Sequence, residues 1–339
     1  MLQRSADDLK FLSDDPVSKV KIGQTSHAII HQDHKACVRF FAPTKAKHTP
    51  VFISMPLINT WMIFDLLPGR SVVAALLKAG VPVYLLDWGR PGPEDAETTL
   101  ENLIDGTLRR CFDRARRDAR TRYGATEMDA IGYCVGGTYL TVFLSRYPTL
   151  ARRLALLATP IDFHASGRLS QWARPETFPL DQLVDSYGNF PADMMRQSFA
   201  WLRPMGQISK WKGLWDKVDQ PAFTELWSAM ESWSADNTDF AGEAYREYVQ
   251  QCYFNNALIK GGWKLAGREV RLSEGKAPAL VFAASDDHIV PAPAAFALAQ
   301  TWGAPVQTRS LKGGHVGVCV GKELPAALVA WVSEGDPVA

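Results

Sequence analysis

Three neighbouring stretches constrain the fold more than anything else in the chain. Residues 50–56 (PVFISMP) and 81–89 (VPVYLLDWG) are β-rich runs closed by Pro or Gly, and SVVAALLKAG at 71–80 between them has helical spacing and a glycine stop. Strand, helix and strand in that order make a βαβ unit, and parallel strands need such a crossover. The rhythm recurs along the chain. CVRFFAP (37–43) reads as a strand and about 97–123 as a long helix, followed by strand EMDAIGY, helix GGTYLTVFLSRYP and strand LARRLALLATP. Near the other end come strand PALVFAAS (278–285), helix PAAFALAQTWG, a loop containing KGGHVG and a last helix ELPAALVAWVSEG. Such alternation predicts an α/β protein with a mostly parallel sheet and helices on both faces.

The rhythm stops between about 164 and 262. That segment carries six of the eleven tryptophans (Trp172, Trp201, Trp211, Trp215, Trp227, Trp233) and few β-branched runs. It reads as a mainly helical insertion between two strands of the sheet, placed to act as a cap. The expected organisation is therefore a first part of the core at 1–163, a cap at 164–262 and a second part of the core at 263–339. The ordinary role of each tryptophan is to fill the insertion's own core.

With 37 Lys+Arg against 36 Asp+Glu, a formal charge of +1 gives no global field to recruit nucleic acid or an anionic membrane. An anionic ligand must be caught by a local patch. The first 16 residues show no apolar signal-like region and no run is long enough to span a membrane, so a cytoplasmic location is expected. The five cysteines (Cys37, Cys111, Cys134, Cys252, Cys319) are odd in number, scattered and without C-x-x-C pairs, which predicts no disulfide framework and no metal site.

The chemistry concentrates at Gly132-Tyr133-Cys134-Val135-Gly136. This is the spacing of the G-x-S-x-G nucleophile elbow, a sharp strand-to-helix turn that exposes one reactive side chain, with a cysteine in place of serine. An α/β-hydrolase fold orders nucleophile, acid and histidine along the chain, the last two in loops after late strands. Here Asp286, Asp287 and His288 directly follow PALVFAAS, and His315 lies in the glycine-flanked KGGHVGV. His315 is the expected base for the Cys134 thiol, because the thiolate is the attacking species. The Val135 N–H is expected to supply half of an oxyanion hole and the loop around Leu57 and Ile58 the other half. His27, His31, His34, His48 and His164 lack such context and read as solvent-facing or capping residues.

With these residues in place, the chain resembles the catalytic subunit of the poly(3-hydroxyalkanoate) synthases, in particular the short class III and class IV kinds. The similarity is carried by IGQT (22–25), DLLPGRSVVAALLKAGVPVYLLDWG (65–89), GYCVGGT (132–138), TPIDF (159–163), AGEAYREYVQQCYFNNALIKGG (241–262), DHIVP (287–291) and GGHVGV (313–318). The long N-terminal region of one-component synthases is missing, which points to the short classes. The resemblance implies an α/β-hydrolase fold, with nucleophile Cys134, aspartate Asp287 and histidine His315. It also implies His288 and Tyr253 near the substrate. The implied reaction polymerises (R)-3-hydroxyacyl-CoA, short-chain and 3-hydroxybutyryl above all, with release of CoA. No cofactor is implied, since CoA enters as part of the substrate and leaves as product. The implied partners are the growing polyester and its granule surface, a second copy of the chain and a second synthase subunit, with neither nucleic acid nor a membrane span. Asp287 either orients His315 or helps deprotonate the incoming 3-hydroxyl. A thioesterase or dienelactone-hydrolase-like enzyme with the same three residues, and a non-catalytic granule scaffold, stand as alternative readings.

Overall fold

The computed structural model describes residues 20–333, so the opening residues on which the absence of a signal sequence was read lie outside the described residues. Its centre is an eight-stranded sheet. In chain order the strands are β1 (Ala28–Asp33), β2 (Ala36–Phe41), β3 (Val51–Ser54), β4 (Val83–Asp87), β5 (Asp129–Tyr133), β6 (Leu154–Leu157), β7 (Ala279–Ala284) and β8 (Val306–Leu311). Their spatial order is β1-β2-β4-β3-β5-β6-β7-β8. The first two pairings are antiparallel and the remaining five parallel. β3, β5 and β6 are buried along their whole length, as strands covered on both faces must be.

The crossover helix α1 (Val72–Ala79) forms where the pattern places it. The Ser71 side chain accepts from the Ala74 N–H at its start, and Gly80 closes it in a left-handed conformation. The long helix α2 (Arg109–Tyr123) is entered through a π-helical stretch at Asn102–Leu108, and α3 (Cys134–Arg146) leaves directly from β5. The final helix is Glu323–Ser333. Two differences from the sequence reading have physical causes. The outer strands β1 and β8 were not anticipated, because edge strands half open to solvent carry polar residues (AIIHQD, VQTRSL) and give no hydrophobic run. The helix expected over PAAFALAQTWG is two short pieces, Ala292–Phe296 and Leu298–Thr301.

Between β6 and β7 the chain forms α4 (Arg168–Trp172), α5 (Leu180–Tyr187), α6 (Ala192–Leu202), α7 (Pro204–Lys217), α8 (Pro221–Ala235) and α9 (Gly242–Tyr248), the last running into a π-helical turn at Val249–Phe254. Two isolated bridges, Phe190 to Phe240 within this segment and Asn59 to Asn237, tie it to itself and to the loop after β3. The tryptophans correct the expectation that they fill the segment's interior. Trp233 is buried and its indole N–H donates to the Thr60 carbonyl, but Trp172, Trp201, Trp211 and Trp215 are all exposed, Trp201 by 68%. These four lie on α4, α6 and α7 at positions turned outward rather than into the segment's interior. Among the described residues no helix is long and apolar enough to cross a membrane.

Candidate active site

The turn from β5 into α3 gives Cys134 a φ of +50°, a left-handed conformation that costs energy for any residue bearing a Cβ. Surrounding contacts hold it there. A Cβ on Gly132 would lie 2.4 Å from the Gly137 Cα, and one on Gly136 would lie 2.2 Å from the Met55 carbonyl oxygen. The glycines of the motif are therefore required by close packing of the turn on itself and on the loop after β3. Ser54 fixes that contact by donating its hydroxyl to the Gly136 carbonyl at 2.9 Å.

At the ends of later strands, Asp287 and His315 meet although 28 residues separate them. His315 Nδ1 bonds Asp287 Oδ2 at 2.7 Å, and Asp287 Oδ1 accepts the N–H groups of Ile289 and Val290 at 2.9 and 2.8 Å. Both carboxylate oxygens are thus committed, to a turn and to one imidazole. Asp286, by contrast, is exposed and accepts only the Ser285 hydroxyl at 3.2 Å. With Nδ1 engaged, Nε2 is the nitrogen left for the thiol. Cys134, Asp287 and His315 are each less than a tenth exposed. Burial alone would lower the His315 pKa, but the charge of the Cys134 thiolate beside it and hydrogen bonds to Asp287 and Cys134 outweigh burial and push it up to about 10. Such an imidazole takes a proton readily and holds it while a thiolate stands next to it.

Tyr133 is a supporting residue that the sequence reading did not single out. Its hydroxyl donates to the His315 carbonyl at 3.3 Å, and its ring lies 5.6 Å from the imidazole at an interplanar angle of 31°. Its place between the elbow glycine and the thiol was the available signal. The loop expected to contribute to an oxyanion hole follows β3 and is tied to the segment between β6 and β7. Thr238 in the cap segment accepts nothing from it but donates twice, from its hydroxyl to the Leu57 carbonyl at 2.5 Å and from its N–H to the Ile58 carbonyl at 3.2 Å. The Leu57 and Ile58 N–H groups meet no protein acceptor among the described residues, and the Val135 N–H lies in the first turn of α3, where helical donors are unpaired. The Ile58 side chain faces the same chamber as Cys134; that of Leu57 lines a separate cleft beside Trp88.

That chamber, of about 120 Å³, is walled by Cys134 and Val135 from the elbow, Ile289 and Val290 from the loop after β7, and largely aromatic residues of the segment between β6 and β7. Phe190 stacks on Tyr245 at 4.1 Å, and Phe240, Tyr248 and Tyr253 close the floor. Tyr253 is thus brought to the site. His288 does not line the chamber; it is half-buried, its Nδ1 has no partner, and burial, then the nearby Arg203 charge, lower its pKa. Of the other histidines, one differs from expectation and one meets it. His27, read as solvent-facing, is half-buried against Phe41 and Trp61 and bonds the Thr25 carbonyl and Arg39. His164 is exposed and bonds the Tyr253 carbonyl at 2.9 Å. All five cysteines are free and buried, and no group of His, Cys, Asp and Glu among the described residues has the arrangement to hold a metal ion.

Sheet order, elbow and late-strand acid and histidine define an α/β-hydrolase fold with a thiol at its nucleophile position. A family model described as alpha/beta hydrolase fold matches residues 65–318. Among solved structures, a hydrolase from Pseudomonas aeruginosa superimposes with a TM-score of 0.55 at 16% identity, covering 92% of this chain and 100% of that one. A thermophilic esterase from Thermogutta terrifontis does so with a TM-score of 0.54 at 13% identity, covering 91% and 98%. At such identities the likeness is one of fold. Sequence kinship is narrower. The poly(3-hydroxyalkanoate) polymerase subunit PhaC of Allochromatium vinosum is 32% identical over 317 residues, 91% of this chain and 88% of that protein. The subunits of the same name from Thiocystis violacea and Synechocystis sp. are each 31% identical, over 91% and 97% of this chain and 87% and 89% of theirs. The chain belongs to the poly(3-hydroxyalkanoate) polymerase subunit family.

Proposed function

We infer that this protein is an acyltransferase that polymerises (R)-3-hydroxyacyl-CoA into polyester with release of CoA. The observation that carries this reading is a thiol, not a hydroxyl, at the strained elbow of a chain whose near full-length relatives are polymerase subunits. In the mechanism we propose, His315 Nε2 takes the Cys134 proton and the thiolate adds to the substrate carbonyl carbon. The N–H of Val135 and an N–H of the 57–58 loop receive the oxyanion. Collapse breaks the bond to the CoA sulfur, which leaves with the proton held on His315, and the acyl group stays on Cys134. One thioester has been exchanged for another of similar energy, so the acyl group remains activated. A 3-hydroxyl then attacks that thioester, giving its proton to His315; the ester bond of the chain forms as the acyl carbon–Sγ bond breaks, and Cys134 leaves as the thiolate beside protonated His315, ready for the next substrate. An oxygen ester on serine would be a lower-energy stopping point. Asp287 serves this cycle by orienting His315, because its side chain is fully buried behind the imidazole and the Ile289–Val290 turn, away from a substrate hydroxyl.

An apolar, largely aromatic chamber supports transfer over hydrolysis, since it offers an incoming water few polar partners beside the acyl-thioester. The reading includes a short acyl group, above all 3-hydroxybutyryl, no cofactor beyond the CoA of the substrate, and a place at the surface of cytoplasmic polyester granules. The exposed Trp201, Met205, Ile208, Trp211 and Trp215 suit contact with polymer, a second copy or a second subunit. Incubation of the purified protein with 3-hydroxybutyryl-CoA tests the function: free CoA together with insoluble polyester is expected. CoA with only free acid would assign a thioesterase, and no CoA release, with or without a second subunit, a scaffold.

A further inference from the structure

We propose that Arg168 and Arg203 form an anion-binding site at the rim of the chamber that takes the phosphate groups of the coenzyme A arm. The inference rests on the thioester reading above and adds where the charged end of the substrate is held. The two arginines belong to different helices, but the first reaches the backbone beside the second. Arg168 opens α4, and its Nη1 donates to the carbonyl of Leu202 at 2.9 Å; Arg203 is the next residue, at the break between α6 and α7. Both helices wall the chamber immediately beside these positions, α4 through Leu169 and Trp172, α6 through Met195, Ser198 and Phe199. On its other side Arg203 approaches His288, whose imidazole feels its charge and which adjoins Asp287. The pair therefore lies where the cap meets the loop carrying the acid of the site.

Neither arginine has a carboxylate within ion-pair distance among the described residues, and both are exposed. Several other cations of the same segment hold carboxylates: Arg246 holds Asp181, Asp185 and Glu243, Arg196 holds Asp193, and Lys210 holds Glu231. Two guanidinium groups on neighbouring backbone without a carboxylate offer forked donors that suit a dianionic phosphate. The near-neutral chain has no general field to attract a polyanionic substrate, so a local pair is needed for that task. The aromatic chamber in turn has no charge of its own to offer the phosphates, and it receives the acyl end.

The test compares 3-hydroxybutyryl-CoA with 3-hydroxybutyryl-pantetheine, which presents the same thioester without phosphates, in wild type and in the full-length R168Q/R203Q variant. Each lost guanidinium contact is expected to raise KM for the CoA thioester about tenfold, equivalent to about 1.4 kcal/mol, with kcat nearly constant and KM for the pantetheine thioester moving less than twofold. R168K/R203K should recover part of the loss, and added salt should raise KM in wild type but not in the glutamine variant. Equal effects on both thioesters, or none on either, overturn the site. A calorimetric titration with coenzyme A alone, against pantetheine, keeps the question separate from turnover. If neither thioester is consumed by wild type, the polymerase reading fails, yet CoA binding weakened in the glutamine variant still supports the anion site, and unweakened or absent CoA binding refutes it.

Discussion

In the core, Phe52, Phe112 and Phe143 form a chain of ring contacts at 4.8 and 5.4 Å that never meets solvent, whereas along α6 and α7 Trp201, Trp211 and Trp215 each expose about half of their surface or more. The two sets are equally apolar. Their difference is that the core rings face a second layer across the sheet, while these tryptophans leave about half or more of their surface to solvent. Aromatics of the first kind are explained by stability, at roughly 1.5–3 kcal/mol for each side chain withdrawn from water. Those of the second withdraw less surface from water and contribute correspondingly less to folding. The reactive groups sit at the seam: the thiol, acid and histidine belong to the core, and most of the chamber wall to the cap.

Removing the thiol should separate chemistry from fold most sharply. Cys134→Ala is expected to lower CoA release at least about 10⁴-fold, as loss of a nucleophile does, with an unchanged circular-dichroism spectrum; activity within tenfold of wild type, or acyl label on Cys319, would falsify the assignment. Next in size, Asp287→Asn should lower kcat by about 10² to 10⁴ through a misoriented His315, and Asp286→Asn by no more than about threefold, because Asp286 is exposed and makes no contact with the imidazole. Steady-state turnover of the two variants ranks them, and a larger loss at Asp286 reverses the choice.

The buried and exposed tryptophans of the cap offer the direct contrast. Trp233→Ala opens a cavity and orphans the Thr60 carbonyl, so a loss of about 3–5 kcal/mol is expected in denaturant melts, against at most about 0.5 kcal/mol for Trp211→Ser or Trp215→Ser. Those serine variants should nevertheless bind polyester particles more weakly; undiminished binding would remove the surface role. A further contrast concerns pH. His315 has a folded pKa raised above its ordinary 6.5, so its contribution to stability is complete below about 6.5 and is lost as pH rises through about 10. Cys134→Ala removes the charge and one of the hydrogen bonds that raise it, and should narrow that window when melts are followed from pH 6 to 10.

Much of the core was legible because its signals are local. β3, α1 and β4 announce themselves by runs, a Ser cap and a Gly stop within forty residues. The edge strands β1 and β8 were missed because their pairing on one side only leaves them polar, and the exposed tryptophans were misjudged because helical periodicity says which residues share a face, not whether anything covers it. Arg168 and Arg203 had no signal at all, since Arg168 comes beside Arg203 only through the Leu202 carbonyl on another helix.

By itself the sequence determined the α/β alternation and the place of the thiol at a turn that tolerates only glycine at its close contacts, together with the order of acid and histidine after later strands. These follow from backbone geometry and side-chain type over a few residues. Only the tertiary structure decided that both oxygens of Asp287 are occupied while Asp286 faces water, that Tyr133 lies along the imidazole of a residue 182 positions away, and that aromatic rings from the cap close over Cys134. Each of those is a contact between distant segments, fixed by how the sheet and its insertion pack, and no local propensity encodes it.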